Sequence, residues 1–191
     1  MSTHPSSVHE RVSASRKKYA ISAVIGVVLA LSWFFVAWYG LEGRYFVIVD
    51  RYLDIGDRLA YVAKWMTGPG LCLLVSVVMV ANVRAFTPAI DPLETDLEEK
   101  DERAIHVWRN ITTNTTEQIL LLLIGTMAFA VIAPQYWLRL IPIAAVSFVA
   151  GRVIFALGYL VASGWRGTGF ALTFYPIVGI YAVTLYLYFY G

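Results

Sequence analysis

Five stretches of this chain are apolar for long enough to cross a bilayer, and no soluble fold has a use for that many. They run from Tyr19 to Leu41, Trp65 to Phe86, Ala104 to Ala133, Trp137 to Ala162 and Thr168 to Tyr190. A helix needs about 20 predominantly apolar residues to span the hydrocarbon core. Lipid leaves backbone polar groups no water to bond, so each stretch must satisfy its own as a helix. Composition agrees: 59% of the 191 residues are hydrophobic and only 15% are charged, against about 25% in soluble domains. The reading is all-α and polytopic, with membrane lipid as the first partner.

The segments between spans set the boundaries. Residues 1–18 read as a disordered cytoplasmic tail closing on Arg16, Lys17 and Lys18. Tyr19 to Leu41 is too long, and too rich in Trp and Phe near its end, for a cleaved signal peptide. Residues 42–64 read as an interfacial loop with amphipathic turns, and residues 65–191 as a four-helix membrane domain. Pro88, Pro92 and seven acidic residues between Asp91 and Glu102 make a solvated entry to the third span. Pro176 predicts a kink in the fifth. With the N-terminus inside, ten Lys and Arg residues lie on the inner side against five outside, which favours a cytoplasmic N-terminus.

Polar residues inside the spans carry the functional question. The third span opens RAIHVWRNITTNTTEQILLLL, from Arg103 to Leu123. On a helix, Arg103, His106, Asn110, Asn114 and Glu117 fall within a stripe of about 80°. Ionisable residues at bilayer depth face protein or a wet cavity, and they mark functional sites by default. The bland alternative is interhelical glue, a role open to Gln118 and to the neighbouring threonines. Two Asn-x-Thr sequons, at Asn110 and Asn114, fall on this helix at the expected cytoplasmic side and read as chance. The fourth span ends GRVIFALGYLVASGWRGTGF. There Arg152, Phe155 and Tyr159 share a face, and Arg166 stands at the membrane boundary. An arginine pair of this kind suits an anionic peptide and its thiolate, because Arg stays charged and clamps carboxylates. Two structural alternatives stand beside it: a salt bridge from Arg152 to Glu117, and a lipid-phosphate anchor at Arg166.

Cys72 is the only cysteine, so neither a disulfide nor a cysteine metal site can form within the chain. The three histidines are not spaced as metal ligands. No basic cluster interleaved with aromatic residues suggests nucleic acid. A transporter is weakly supported, because five spans show no inverted repeat.

From Trp65 to Tyr190 the chain resembles the membrane-associated proteins in eicosanoid and glutathione metabolism (MAPEG). Two motifs carry the resemblance. One is Asn-x-x-Glu at Asn114 and Glu117. The other is Arg152, Tyr159 and Arg166, supported by LGYL and RGTGF. The resemblance implies a homotrimer of four-helix subunits with glutathione held between subunits near the cytoplasmic side. It implies glutathione contacts from Asn114, Glu117, Arg152 and Tyr159, and a thiolate-stabilising Arg166. Arg84, closing the first family helix, resembles an arginine that several members place there. Arg103 and Asn110 are further candidate contacts. Two positions depart from the pattern. Asn110 stands where the family often has Arg, with Arg109 turned about 100° away. Phe155 stands where Tyr or His is common. The extra first span, WRN…NTTEQ and LTFYP are similar to the mattrin branch. The implied function is a membrane-embedded glutathione transferase or peroxidase acting on a lipophilic electrophile. The alternative is a non-catalytic family scaffold that binds a lipid or regulates a partner membrane protein.

Overall fold

The computed structural model describes residues 8–40, 54–86, 99–160 and 165–191. All five long elements are helices: α1 Val8–Gly40, α2 Ile55–Phe86, α3 Glu99–Ile132, α4 Leu140–Leu160 and α5 Arg166–Tyr190. A short 3-10 helix, Gln135–Arg139, leads into α4. Each long helix contains a segment apolar enough to cross a membrane, and the all-α, multi-pass reading stands.

Boundaries moved for local reasons. The segment from Val8 to Lys18, expected as tail, continues α1; once a helix is nucleated, each added residue brings its own hydrogen bond. Helix α2 begins inside the expected interfacial loop because Asp54 caps it. The Asp54 Oδ2 accepts from the backbone N–H of Gly56 at 3.1 Å, and its carbonyl from that of Arg58 at 3.2 Å. A short carboxylate at this position satisfies one of the N–H groups a helix start leaves open. The expected tail residues 1–7, loop residues 42–53, most of the acidic segment (87–98) and residues 161–164 lie outside the described residues. Helix α3 stops at Ile132, ahead of Pro134 as expected, since the residue before proline is held out of the helical region.

Helix α5 is the hub, packing against α1, α3 and α4, while α2 packs on α3 and α4. The core where they meet includes Leu122, Phe129, Leu138, Ile141, Phe148 and Ile177. Large apolar side chains point outward in turn, among them Ile21, Val28, Phe35, Leu74 and Leu185, which suits lipid as the surrounding medium.

Helices at this depth gain little from hydrophobic burial against each other. They associate through close packing and polar bonds. At the α1–α5 contact a Cβ on Gly26 would stand 2.6 Å from the carbonyl oxygen of Thr168. Ser22 then serves as a cap supplied by another helix: its Oγ accepts from the Thr168 backbone N–H at 2.8 Å, and the Thr168 hydroxyl donates to the Ser22 carbonyl at 2.8 Å. Pro176 lacks an N–H and leaves the Leu172 carbonyl without its helical donor. The Ser147 hydroxyl on α4 donates to that carbonyl at 2.7 Å. Arg58 Nη1 donates to the Ala130 and Ala133 carbonyls at 3.1 and 2.7 Å, closing the end of α3.

Gly26→Ala is expected to lower stability by about 1–3 kcal/mol through overpacking against α5. Thermal unfolding in detergent measures it, and an unchanged midpoint would mean that α1 is not seated as described.

Candidate functional site

The site begins with one cation placed where it is expensive. Arg152 is 4% exposed, in the interior of α4 and within a membrane span. An unpaired charge at such depth is tolerated only when its hydrogens are taken up. Nη2 donates to Gln118 Oε1 on α3 at 2.9 Å and to Thr173 Oγ1 on α5 at 2.6 Å. Nη1 donates to Asn114 Oδ1 at 3.4 Å. The Thr173 hydroxyl in turn donates to Gln118 Oε1. All these partners are neutral, so the positive charge is solvated rather than cancelled. Arg152 Nε and Gln118 Nε2 are buried without a partner among the described residues.

Close approach makes this network reachable. A Cβ on Gly151 would stand 2.9 Å from the Gly169 carbonyl oxygen, and one on Gly169 2.7 Å from that of Gly151. These glycines bring α4 and α5 together at the level where Arg152 meets Thr173. Two turns further along, a Cβ on Gly158 would stand 2.6 Å from the backbone nitrogen of Arg166. The first turn of α5 therefore lies directly on the last turns of α4.

An alternating column of cations and rings results. The Arg152 guanidinium carbon lies 4.6 Å from the Phe155 ring centroid. Phe155 meets Tyr159 edge-on at 5.2 Å, and the Arg166 guanidinium carbon lies 4.8 Å from the Tyr159 centroid. Contacts of this kind contribute about 0.5–2 kcal/mol each and fix side-chain direction. Arg152, Tyr159 and Arg166, separated in sequence, are thus brought into one line, with Asn114 at its inner end.

The other expected site residues lie elsewhere. Glu117 is exposed, and the expected Arg152–Glu117 salt bridge does not form. The physical reason is helical phase: Gln118, about 100° round from Glu117, takes the inward position. The buried face of α3 is Ile111, Thr115, Gln118, Leu122, Thr126 and Phe129. The polar stripe lies to one side of it, with Arg103, His106 and Glu117 exposed and Asn110 and Asn114 half-buried. Asn110 Nδ2 donates to His106 Nδ1 at 3.1 Å. Arg84 is exposed and, with Arg109, Thr112 and Thr113, lines a separate groove of about 250 Å³ between α2 and α3. Gln118 was legible only as interhelical glue and Thr173 not at all. The spacing Ile111, Thr115, Gln118, Leu122 carries the signal for Gln118, but isolating it requires knowing which face α3 buries.

Gln118→Leu is expected to destabilise the protein by about 1–3 kcal/mol, the cost of leaving a buried donor unmet. Arg152→Leu combined with Gln118→Leu is expected to be no less stable than Gln118→Leu alone, because replacing both partners removes the charge as well. Additive losses in a double-mutant cycle would mean the two side chains do not share a bond.

The MAPEG family model matches residues 62–186, which takes in the Arg152–Arg166 column and leaves α1 outside. Transmembrane protein 79 of Mus musculus is 26% identical over 171 residues, covering 87% of this chain. The matched region is 41% of that relative's length, so the chain spans less than half of it. No solved structure matches the chain. With more than half of its length, and the whole of its polar column, inside the match, this chain belongs to the MAPEG family.

Proposed function

We propose that the chain is a glutathione-dependent membrane enzyme of the transferase or peroxidase type, with its ligand at the Arg152–Arg166 end of the bundle. One observation carries this reading: among the described residues Arg152 has only neutral hydrogen-bond partners, and it stands in line with Tyr159 and the second cation Arg166. A buried positive charge without a carboxylate favours an anionic ligand. Glutathione fits, having two carboxylates for arginine and a thiol whose ionisation a nearby cation promotes. In this reading Arg166 stabilises the thiolate and Tyr159 positions it. Arg152 draws a carboxylate toward the bundle. Asn110, Asn114, Glu117 and Arg103 offer polar contacts on the adjoining face of α3, and Arg84 on α2. That face is exposed in one subunit, and a homotrimer would cover it with a neighbour. The electrophile is lipophilic and arrives laterally from the bilayer.

A second reading, a non-catalytic scaffold that binds a lipid or a partner membrane protein, is favoured by Phe155. It supplies a ring where the family often offers a hydroxyl or imidazole, and it occupies the centre of the column. The similarity to Transmembrane protein 79 is compatible with either reading.

Glutathione at about 100 times its dissociation constant is expected to stabilise the native protein by roughly 2.7 kcal/mol. Thermal unfolding of the detergent-purified protein reads this, with Glu117→Ala and Arg166→Ala as controls because neither side chain is buried. Loss of the shift in the controls supports the site, while a folded wild type that does not respond favours the scaffold. If turnover is found, Arg166→Ala is expected to lower it by roughly 10²-fold, as for loss of one anion-stabilising donor. Unchanged turnover would remove Arg166 from the chemistry.

The orientation in this reading is N-terminus in. Ser13→Cys in a Cys72→Ser background is expected to resist a membrane-impermeant maleimide in intact cells and to react once they are opened. Labelling in intact cells would reverse the topology.

A further inference from the structure

At the end of the bundle away from the polar column, the large side chains of α1, α4 and α5 leave a crevice between them. Ser22, bonded to Thr168, marks the column end of α1, and Trp38, 16 residues on, marks the other; at 1.5 Å per residue the two levels are about 24 Å apart. Between Ala30 and Tyr39 the helices line a crevice of about 410 Å³ that is open on its lipid-facing side. Its walls include Trp33, Phe34 and Trp38 from α1, Trp137 ahead of α4, and Tyr175 and Gly179 from α5.

Polar contacts hold the walls in place. Trp33 Nε1 donates to the Ile143 carbonyl at 3.1 Å. Trp38 meets the Trp137 ring edge-on at 6.1 Å, and the Arg139 guanidinium carbon lies 3.7 Å from its ring centroid. The crevice is therefore braced at both ends. Among the described residues no charged side chain lines it. Gly179 contributes open space, since a Cβ there would meet no atom within 4 Å.

A space of this size is not left empty. Left unfilled, an apolar crevice forfeits dispersion contacts along its lining. Water gains nothing there, because the walls offer it too few partners. At this depth the surrounding medium is hydrocarbon, and α1, α4 and α5 all lie in membrane spans. A cavity of about 150 Å³ accepts benzene's six carbons, so 410 Å³ has room for roughly sixteen, about what one acyl chain offers.

We propose that the α1–α4–α5 crevice is a binding site for one acyl chain of a bilayer lipid, with α1 as the helix that creates it. The site is distinct from the Arg152–Arg166 column and does not depend on glutathione binding.

The test uses the full chain extracted in mild detergent. Native mass spectrometry is expected to show one lipid retained per chain, of a mass assignable to an acyl lipid. A phospholipid carrying a diazirine near the end of its acyl chain, reconstituted in phosphatidylcholine vesicles, is expected to label peptides spanning residues 30–39 and 175–183 above all others. Gly179→Phe is expected to lower both retained lipid and label at these peptides at least tenfold, with Gly179→Leu intermediate. Gly179→Ala, which fills least, should stay near wild type and keeps the series interpretable if Phe impairs folding. Equal labelling of every lipid-facing helix, or full retention in a folded Gly179→Phe protein, would overturn the proposal by reducing the contact to ordinary annular lipid. A retained fused-ring lipid in place of an acyl lipid would overturn the assignment of the occupant.

Discussion

The architecture turns on a guanidinium that cannot reach water. Arg152 lies inside a membrane span and is almost wholly covered. It is accommodated by oxygen atoms from two other helices, Asn114 and Gln118 on α3 and Thr173 on α5. Removing any one of them leaves a polar group exposed to low dielectric, where it is most costly. The network therefore fixes α3, α4 and α5 in one relative register. From that anchor the column continues through Phe155 and Tyr159 to Arg166, so that the candidate site inherits its geometry from a structural requirement.

The same constraint, no water to fall back on, explains the remaining interhelical bonds. Ser22 caps α5 from α1, Ser147 takes up the carbonyl that Pro176 abandons, and Arg58 closes the end of α3. Glycines at positions 26, 151, 158 and 169 sit where a single added carbon would meet a neighbouring backbone. Hydrogen bonds this short across helices require that approach. Stabilisation in this bundle comes from many modest polar contacts, made available by small residues.

Helix α1 behaves differently at its two ends. Beside Thr168 it is seated on α5 through Gly26 and Ser22. Beyond Ala30 its Trp and Phe side chains line the aromatic crevice together with α4 and α5. The family match, over residues 62–186, omits this helix, so the cap on α5 and the aromatic crevice are what α1 adds to the matched region.

Some of this was fully legible in the chain. The number of spans followed from apolar run length, because a bilayer demands about 20 such residues per crossing whatever they pack against. That Arg152, Phe155 and Tyr159 share a face followed from spacing within α4, whereas the place of Arg166 beside Tyr159 depends on the first turn of α5 packing on Gly158. The inward face of α3 did not follow. Glu117 and Gln118 are adjacent in sequence, both polar and both able to hold an arginine, and the apolar residues around them recur on more than one face. Which of the two turns inward depends on where α4 and α5 lie, a fact carried by no local pattern. Periodicity determines which residues share a face, while tertiary packing decides which face is buried, because burial is settled by the summed contacts of whole helices. That choice gave Arg152 a neutral amide in place of the Glu117 carboxylate.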